Sequence, residues 1–180
     1  MRFFATIGFL GIVAIIAAGV YFFAGYYSIS AIAPDPSIVA WSIGQVRDAS
    51  INRHATDTPP ISLADPAAIK AGAQAFSQRG CASCHGAPGV NWAKFSEGLR
   101  PDPPDLKDVA KDVPVAQIYW VVKNGINMTG MPSFGRVGAD DKEIWEIAAF
   151  VKKLPTVSDA DYKAWTAPSP APTSAAAPPP

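Results

Sequence analysis

The sequence is poor in the side chains that bind metals and carry redox chemistry. Its 180 residues contain two cysteines, two histidines and three methionines. A structural zinc site takes four ligands, and two cysteines with one neighbouring histidine leave it one ligand short. The formal net charge is zero, from 15 basic and 15 acidic residues, so no overall field attracts nucleic acid. Neither a strand pattern nor an internal repeat occurs, which predicts an all-α protein.

The chemically informative side chains are concentrated in one stretch, Cys81-Ala82-Ser83-Cys84-His85. This spacing is typical of the covalent attachment of a c-type haem. Two thiols three residues apart lie on one side of a helical turn, where both reach the vinyl groups on one edge of a porphyrin. His85 is then held beneath the iron as the proximal ligand. A thioredoxin-type dithiol prefers a strand-to-helix context, which is absent here, and one motif predicts one haem.

A methionine in a downstream loop is expected to complete the iron coordination. A thioether as the second axial ligand raises the reduction potential relative to two histidines. Of Met128 and Met131 we favour Met131, because Pro132 fixes an extended loop at that position. Gly130 in addition lets the backbone come close to the flat macrocycle. The alternative is a five-coordinate iron, with both methionines in ordinary packing.

An apolar run without a charge covers residues 3–27. About 20 such residues cross a bilayer core as a helix. Arg2 precedes the run, which places the N-terminus in the cytoplasm and the remainder outside. We therefore expect residues 1–33 to be a retained membrane anchor. The alternative is a signal peptide cleaved at Ala31-Ile32-Ala33, although the run exceeds the usual 7–15 residues of a signal core.

Residues 34–63 are expected to form a juxtamembrane segment and linker that reaches roughly 100 Å when fully stretched. Within it, residues 37–54 predict a short amphipathic helix. Arg47 and Arg53 on this helix are available for lipid phosphates. His54 is expected to be solvated rather than a metal ligand.

The folded domain is expected to cover residues 64–155. Asp65 is a predicted N-cap, and an apolar stripe with helical spacing follows it. The stretch 86–104 is rich in glycine and proline and is expected to be a loop. Residues 115–124 predict a further helix, and another long helix is expected to begin at Asp140.

A C-terminal extension is expected over residues 156–180. Residues 159–165 are predicted to add one or two helical turns that pack on the domain. From residue 167 onward only Ala, Pro, Ser and Thr occur. Such a segment buries too little apolar area to offset its ordering entropy, so it is expected to be disordered.

Four motifs occur together in this order: the haem-attachment motif, a Pro-Pro-Asp-Leu stretch, a Thr-Gly-Met-Pro stretch and an Ile-Trp-x-x-x-x-Phe helix, at residues 81–85, 103–106, 129–132 and 144–150. Over about residues 65–155 the chain resembles a mono-haem class I cytochrome c of the bacterial membrane-anchored type. The resemblance implies about four to five helices around one covalently bound haem. The first and last helices of the domain would cross with Gly72 and Phe76 against Ile147 and Phe150.

The resemblance also implies roles for residues around the haem. A proline carbonyl would accept a hydrogen bond from the free nitrogen of His85 and orient the ring. Pro103 and Pro104 are both candidates for this contact. Four residues are candidates for propionate contacts or for the pocket wall: Arg100, Tyr119, Trp120 and Thr129. Of all these, Pro104 and Thr129 are expected to contact the haem.

The function implied is that of a one-electron carrier rather than an enzyme, with one haem c ligated by His85 and Met131. It would be tethered to the bacterial inner membrane with its haem domain in the periplasm. Expected partners are redox proteins, namely a dehydrogenase or quinol-oxidising complex and a terminal oxidase, with no nucleic acid and no small-molecule substrate. The alternative is a permanent cytochrome c subunit of a membrane-bound dehydrogenase or oxidase complex. A peroxidase or gas sensor would need an open iron site.

Overall fold

A computed structural model of the protein describes residues 2–168. Over this range the chain contains no β-strand, and Ala87 and Val90 form an isolated bridge. The prediction of an all-α fold is therefore confirmed. The chain divides into two compact units, residues 1–37 and 38–180. The C-terminal segment that was predicted to be disordered lies outside the described residues from 169 onward.

The first unit contains helix α1 (Arg2–Phe23), in which no residue is buried. Within residues 2–168 it is the one helix that is long and apolar enough to cross a membrane. The predicted apolar run thus forms a continuous helix of the required length. Length and composition suit a membrane anchor and an N-terminal signal segment alike.

The other described elements follow in chain order. They are α2 (Ser37–His54), α3 (Pro66–Gln78), α4 (Ala82–His85), a 3₁₀ helix (Lys94–Gly98), α5 (Leu106–Asp112), α6 (Val115–Asn124), α7 (Asp141–Lys153), a second 3₁₀ helix (Leu154–Thr156) and α8 (Asp159–Thr166). The helix expected over residues 37–54 is present as α2. The second compact unit includes α2 from Ile38 onward.

Helices α3 and α7 cross at Gly72, and this contact is the centre of the fold. A Cβ atom at Gly72 would lie 1.9 Å from the backbone oxygen of Glu146, so only glycine permits this approach. One turn further along α3, the rings of Phe76 and Phe150 pack edge to face with centroids 5.3 Å apart. The predicted crossing of the first and last helices of the domain is confirmed.

The N-termini of these helices are fixed by aspartate caps, of which Asp65 is the predicted one. The Asp65 carboxylate accepts from Ala67 N at 3.0 Å and starts α3. The Asp140 carboxylate accepts from Glu143 N at 2.8 Å and starts α7. Helix α6 packs on α7 through Tyr119 and Trp145, whose rings stack at 4.0 Å. Helices α3, α6 and α7 thus position the loops that connect them.

Helix α5 was missed by the sequence analysis. It begins at Asp105, whose carboxylate accepts from Lys107 N at 2.7 Å. Its C-terminal end is held by Lys152 of α7, whose ammonium donates to Ala110 O at 2.5 Å and Val113 O at 3.2 Å. A cation at a helix C-terminus satisfies carbonyls that have no intrahelical partner. The sequence signal was the capping aspartate directly before an apolar pair at helical spacing.

The predicted C-terminal helical turns are present as α8. Tyr162 is buried, and its ring stacks on Phe150 with centroids 5.7 Å apart. Gln74 of α3 donates to Trp165 O at 3.0 Å. Helix α8 thus packs on the outer side of α3, as expected.

Candidate haem-binding cavity

A cavity of about 550 Å³ lies within the second unit. Its walls come from the end of α3, the haem-attachment motif, residues 99–104, α5, α6 and residues 126–134. Most of the lining is apolar, and this volume is typical of cofactor sites. The cavity brings the sequence-predicted ligands to one place.

One wall carries the haem-attachment motif. Gly80, with φ of +77°, ends α3 and turns the chain into a short helical turn. The turn is tied to α3 by Cys81 N donating to Phe76 O at 3.1 Å, and His85 N donates to Cys81 O at 3.0 Å. Cys81, Cys84 and His85 all line the cavity. The geometry therefore places both thiols and the imidazole on one wall.

The desolvation of this wall is visible in its titratable groups. Burial raises the pKa of the Cys81 thiol to about 12. Burial also lowers the pKa of His85 below its usual value, and the hydrogen bond to Pro104 opposes that shift only in part. His85 is therefore neutral at pH 7, which is the form of imidazole that binds metals.

The His85 ring is oriented by the loop that contains Pro104. His85 Nδ1 lies 2.9 Å from Pro104 O. A carbonyl oxygen only accepts, so Nδ1 carries the proton and Nε2 keeps its lone pair. Of the two adjacent prolines, Pro104 makes this contact. Such an outer partner fixes the tautomer of a metal-binding histidine and increases its donor strength.

A second part of the lining comes from the loop over residues 126–134. Ile126 N donates to Met131 O at 3.1 Å, which closes the loop on itself. The Thr129 hydroxyl donates to Ile126 O at 2.8 Å and accepts from Met131 N at 3.1 Å. Thr129 lines the cavity, but its single hydroxyl proton is used within the loop. The side chain expected at the haem thus also holds the backbone at Ile126 and at Met131.

The loop is fastened to the C-terminal end of α6 at Gly125. This residue has φ of +71°, and an added Cβ would lie 2.7 Å from Pro132 C and from Ser133 N. Ser133 Oγ donates to Lys123 O at 2.7 Å just beside it. The close approach needs a residue without a side chain.

Met131 is the methionine that the structure brings to the cavity with His85. It is partly buried and lines the cavity together with Gly130 and Pro132. Met128 is 90% exposed and is not among the lining residues. A Cβ on Gly130 would lie 3.0 Å from the Leu99 side chain, so this glycine gives room to another part of the cavity lining.

Three of the other residues expected near the propionates do not line the cavity. Tyr119 is 2% exposed, and its hydroxyl accepts from Lys123 Nζ at 2.9 Å, so it belongs to the core. Trp120 stacks on His54 with ring centroids 6.1 Å apart. Arg100 donates to Asp102 at 2.9 Å. His54 is exposed, as expected, but it is in contact with the Trp120 ring rather than isolated.

Helix α2 contributes to the cavity, which the sequence analysis did not foresee. Arg47, Asp48 and Ile51 are among the lining residues. Arg47, which the sequence makes available for lipid phosphates, is thus also placed at the cavity. Arg47 and Ile51 are four residues apart and so share a helix face. That spacing does not indicate which part of the protein this face of α2 contacts.

The donors in the cavity fit a haem. Two thiols and a neutral imidazole come from one helical turn, and a thioether lies among the lining residues of the 126–134 loop. A group of three or more His, Cys, Asp or Glu side chains able to hold a bare metal ion is absent from residues 2–168. A thioether with a single imidazole suits haem iron rather than a hard cation.

Comparison with known proteins identifies one family. Residues 67–151, slightly less than half of the chain, match the family model described as cytochrome C oxidase, cbb3-type, subunit III. No curated protein and no solved structure matches the chain. The matched range begins in α3 and ends in α7, and it contains the motif, His85 and Met131.

Proposed function

Because residues 67–151 form a class I cytochrome c domain, which implies haem c and electron transport, we propose that this protein is a one-electron carrier with a single haem. Cys81 and Cys84 would hold the haem through thioethers, with His85 and Met131 as the axial ligands. The observation that carries the proposal is the presence of all four side chains on one apolar cavity.

The residues of the chain would act by holding and shielding the cofactor. When bound, the haem iron supplies the redox chemistry by alternating between the ferrous and ferric states. His85 is oriented by Pro104, and Met131 is held by the hydrogen bonds of Thr129. The apolar lining would keep water away from the haem. A thioether on the iron would favour the ferrous state and so give a higher reduction potential. With His85 and Met131 as its ligands, the iron would have no position open for a substrate.

Helix α1 supports a membrane-anchored carrier. Its length and composition suit a single span, and a haem domain that follows such an anchor would lie in the periplasm at the inner membrane. Confinement to the membrane surface raises the effective concentration of membrane-bound redox partners. We propose a dehydrogenase or quinol-oxidising complex as donor and a terminal oxidase as acceptor.

The attachment can be tested with the double variant Cys81→Ala, Cys84→Ala. Haem detected in the protein band after denaturing electrophoresis should be lost in this variant, because both thioethers are absent. Ser83→Ala, between the two cysteines, should keep the full haem signal. Haem that survives denaturation in the double variant, or a colourless wild-type protein, would refute the proposal.

A second candidate is a permanent subunit of an oxidase or dehydrogenase complex. The description of the matched family, a subunit of a cytochrome c oxidase, favours this candidate. Purification from membranes in mild detergent distinguishes the two. A stoichiometric catalytic subunit that co-elutes would establish the subunit role, and elution of the haem protein alone would establish the carrier.

A further inference from the structure

The wall of the cavity extends beyond the cytochrome c domain. Arg47, Asp48 and Ile51 of α2 line the same cavity as His85 and Met131, although α2 precedes the matched range 67–151. The cytochrome c domain alone therefore leaves this side of the cavity without the helix that closes it.

Two contacts hold the C-terminal half of α2 against α6. Gln117 Nε2 donates to Asn52 Oδ1 at 2.6 Å. Two residues further along α2 and three further along α6, His54 stacks on Trp120, with the rings inclined by 24°. Gln117 itself lines the cavity, so these contacts place α2 at its edge.

The charges in the cavity single out Arg47. A haem carries two carboxylates on the edge opposite its vinyl groups, and a carboxylate that leaves water needs a partner. The cationic side chains among the described lining residues are Arg47 and Arg79. Arg79 is held by Glu143, at 2.7 Å from Nε and 2.8 Å from Nη2, and it lies next to Cys81 on the vinyl side.

Arg47 has donors to spare for such a carboxylate. Its Nε donates to Asp48 Oδ1 at 2.8 Å, which leaves the Nη1 and Nη2 groups of the fork. The acidic lining residues are already engaged, Asp48 with Arg47 and Asp102 with Arg100. The Arg47 side chain is 42% exposed, so it lies at the mouth of the cavity.

We propose that Arg47 pairs with a haem propionate, and that α2 thereby completes the haem site from outside the cytochrome c domain. This inference rests on the proposed function, because it requires a haem in the cavity. Arg47 would keep the propionate ionised and compensate its charge near the iron. Loss of that compensation stabilises the ferric state and lowers the midpoint potential.

The test uses the full-length holoprotein in detergent with three variants. Arg47→Gln should lower the midpoint potential at pH 8, and Arg47→Lys, which keeps the charge, should restore most of it. Arg53→Gln removes an equal charge from the same helix but from a residue outside the lining, and it should leave the potential unchanged. Hydrogen exchange of residues 38–54 should be faster by up to about fivefold in Arg47→Gln alone, as expected for a partly exposed ion pair.

The outcomes separate this inference from the proposed function. Covalent haem in every variant, with a potential and exchange rates that Arg47→Gln leaves unchanged, would overturn the role of Arg47 and leave the carrier intact. Equal shifts in Arg47→Gln and Arg53→Gln would overturn it too, because they would report a general effect of charge. A wild-type protein without covalent haem would overturn both.

Discussion

The two faces of the cavity are built in different ways. The wall with Cys81, Cys84 and His85 is a single helical turn that follows α3, and its backbone hydrogen bonds join residues three to five apart, apart from Ala93 N donating to Ser83 O at 2.8 Å. The wall with Met131 is a loop that folds back over the end of α6 and is held by Thr129, Gly125 and contacts to Lys123.

The difference concerns how firmly each proposed ligand is positioned. His85 is fixed by its neighbours in sequence and by one carbonyl, Pro104 O. Met131 depends on a loop in which one hydroxyl serves two backbone groups. We therefore expect the methionine side to be the more easily disturbed. Four substitutions test this, in order of decreasing effect.

Removal of the proposed distal ligand should have the largest effect. Met131→Ala should lower the midpoint potential by on the order of 0.1 V or more, since axial ligands set haem potentials over a range of about 0.8 V. It should also open the ferrous iron to carbon monoxide, which absorption spectra would show. Met128→Ala, which changes an exposed methionine three residues earlier, is the control and should resemble the wild type. An unchanged potential in Met131→Ala would dismiss Met131 as a ligand.

Gly125→Ala should damage the loop while leaving both ligands in the sequence. The new Cβ would clash with Pro132 and Ser133, in a backbone conformation that other residues rarely adopt. We expect a loss of about 3 kcal/mol in the free energy of unfolding, measured by chemical denaturation of the holoprotein. Gly98→Ala is the matched control, because a Cβ there meets nothing within 4 Å. Equal losses in the two variants would contradict the loop geometry.

Thr129→Val should loosen the loop more mildly. It removes the hydroxyl that bonds to Ile126 and Met131 but keeps the shape of the side chain. A loss of about 1 kcal/mol corresponds to roughly fivefold tighter binding of added imidazole, which competes with the methionine for ferric iron. Thr156→Val removes a hydroxyl bonded to Lys153 O, away from the cavity, and should leave imidazole binding as it is. A similar affinity in both variants would argue against the proposed role of Thr129.

The smallest effect is expected on the histidine side. Pro104→Ala frees the backbone torsion that positions the carbonyl at His85 and should cost roughly 0.5–1 kcal/mol. A weaker hydrogen bond makes the imidazole a poorer donor, so redox titration should show a slight rise in potential. Pro103→Ala should cost about as much stability without changing the potential. A larger shift for Pro104→Ala than for Met131→Ala would reverse the comparison.

Much of the site could be predicted because its determinants are short in sequence. The cysteines and His85 lie within one turn, so their spacing alone indicates their common side. The choice of Met131 over Met128 rested on Pro132, and the structure has Met131 at the cavity and Met128 in solvent. The crossing of α3 and α7 was implied by the resemblance to class I cytochromes c, and Gly72 in an apolar stripe agrees with it.

The parts that escaped prediction depend on contacts between distant residues. The choice between Pro103 and Pro104 depends on how a loop approaches His85, nineteen residues away. The position of α2 depends on Gln117 and Trp120, two residues of α6 with ordinary roles in a helix. From the sequence alone, a charged residue such as Arg47 is equally compatible with a lipid-facing and a cavity-facing position. The packing of its helix decides between the two.

The inclusion of α2 in the second unit also shortens the segment that would tether the haem site to the membrane anchor. Because α2 belongs to that unit, the segment that connects it to α1 is residues 24–36. Fully stretched, this segment would reach about 45 Å instead of roughly 100 Å. A haem tethered in this way would reach only electron acceptors whose docking sites lie close to the bilayer. Lengthening that segment with a flexible insert would then widen the choice of partners at the expense of encounter frequency.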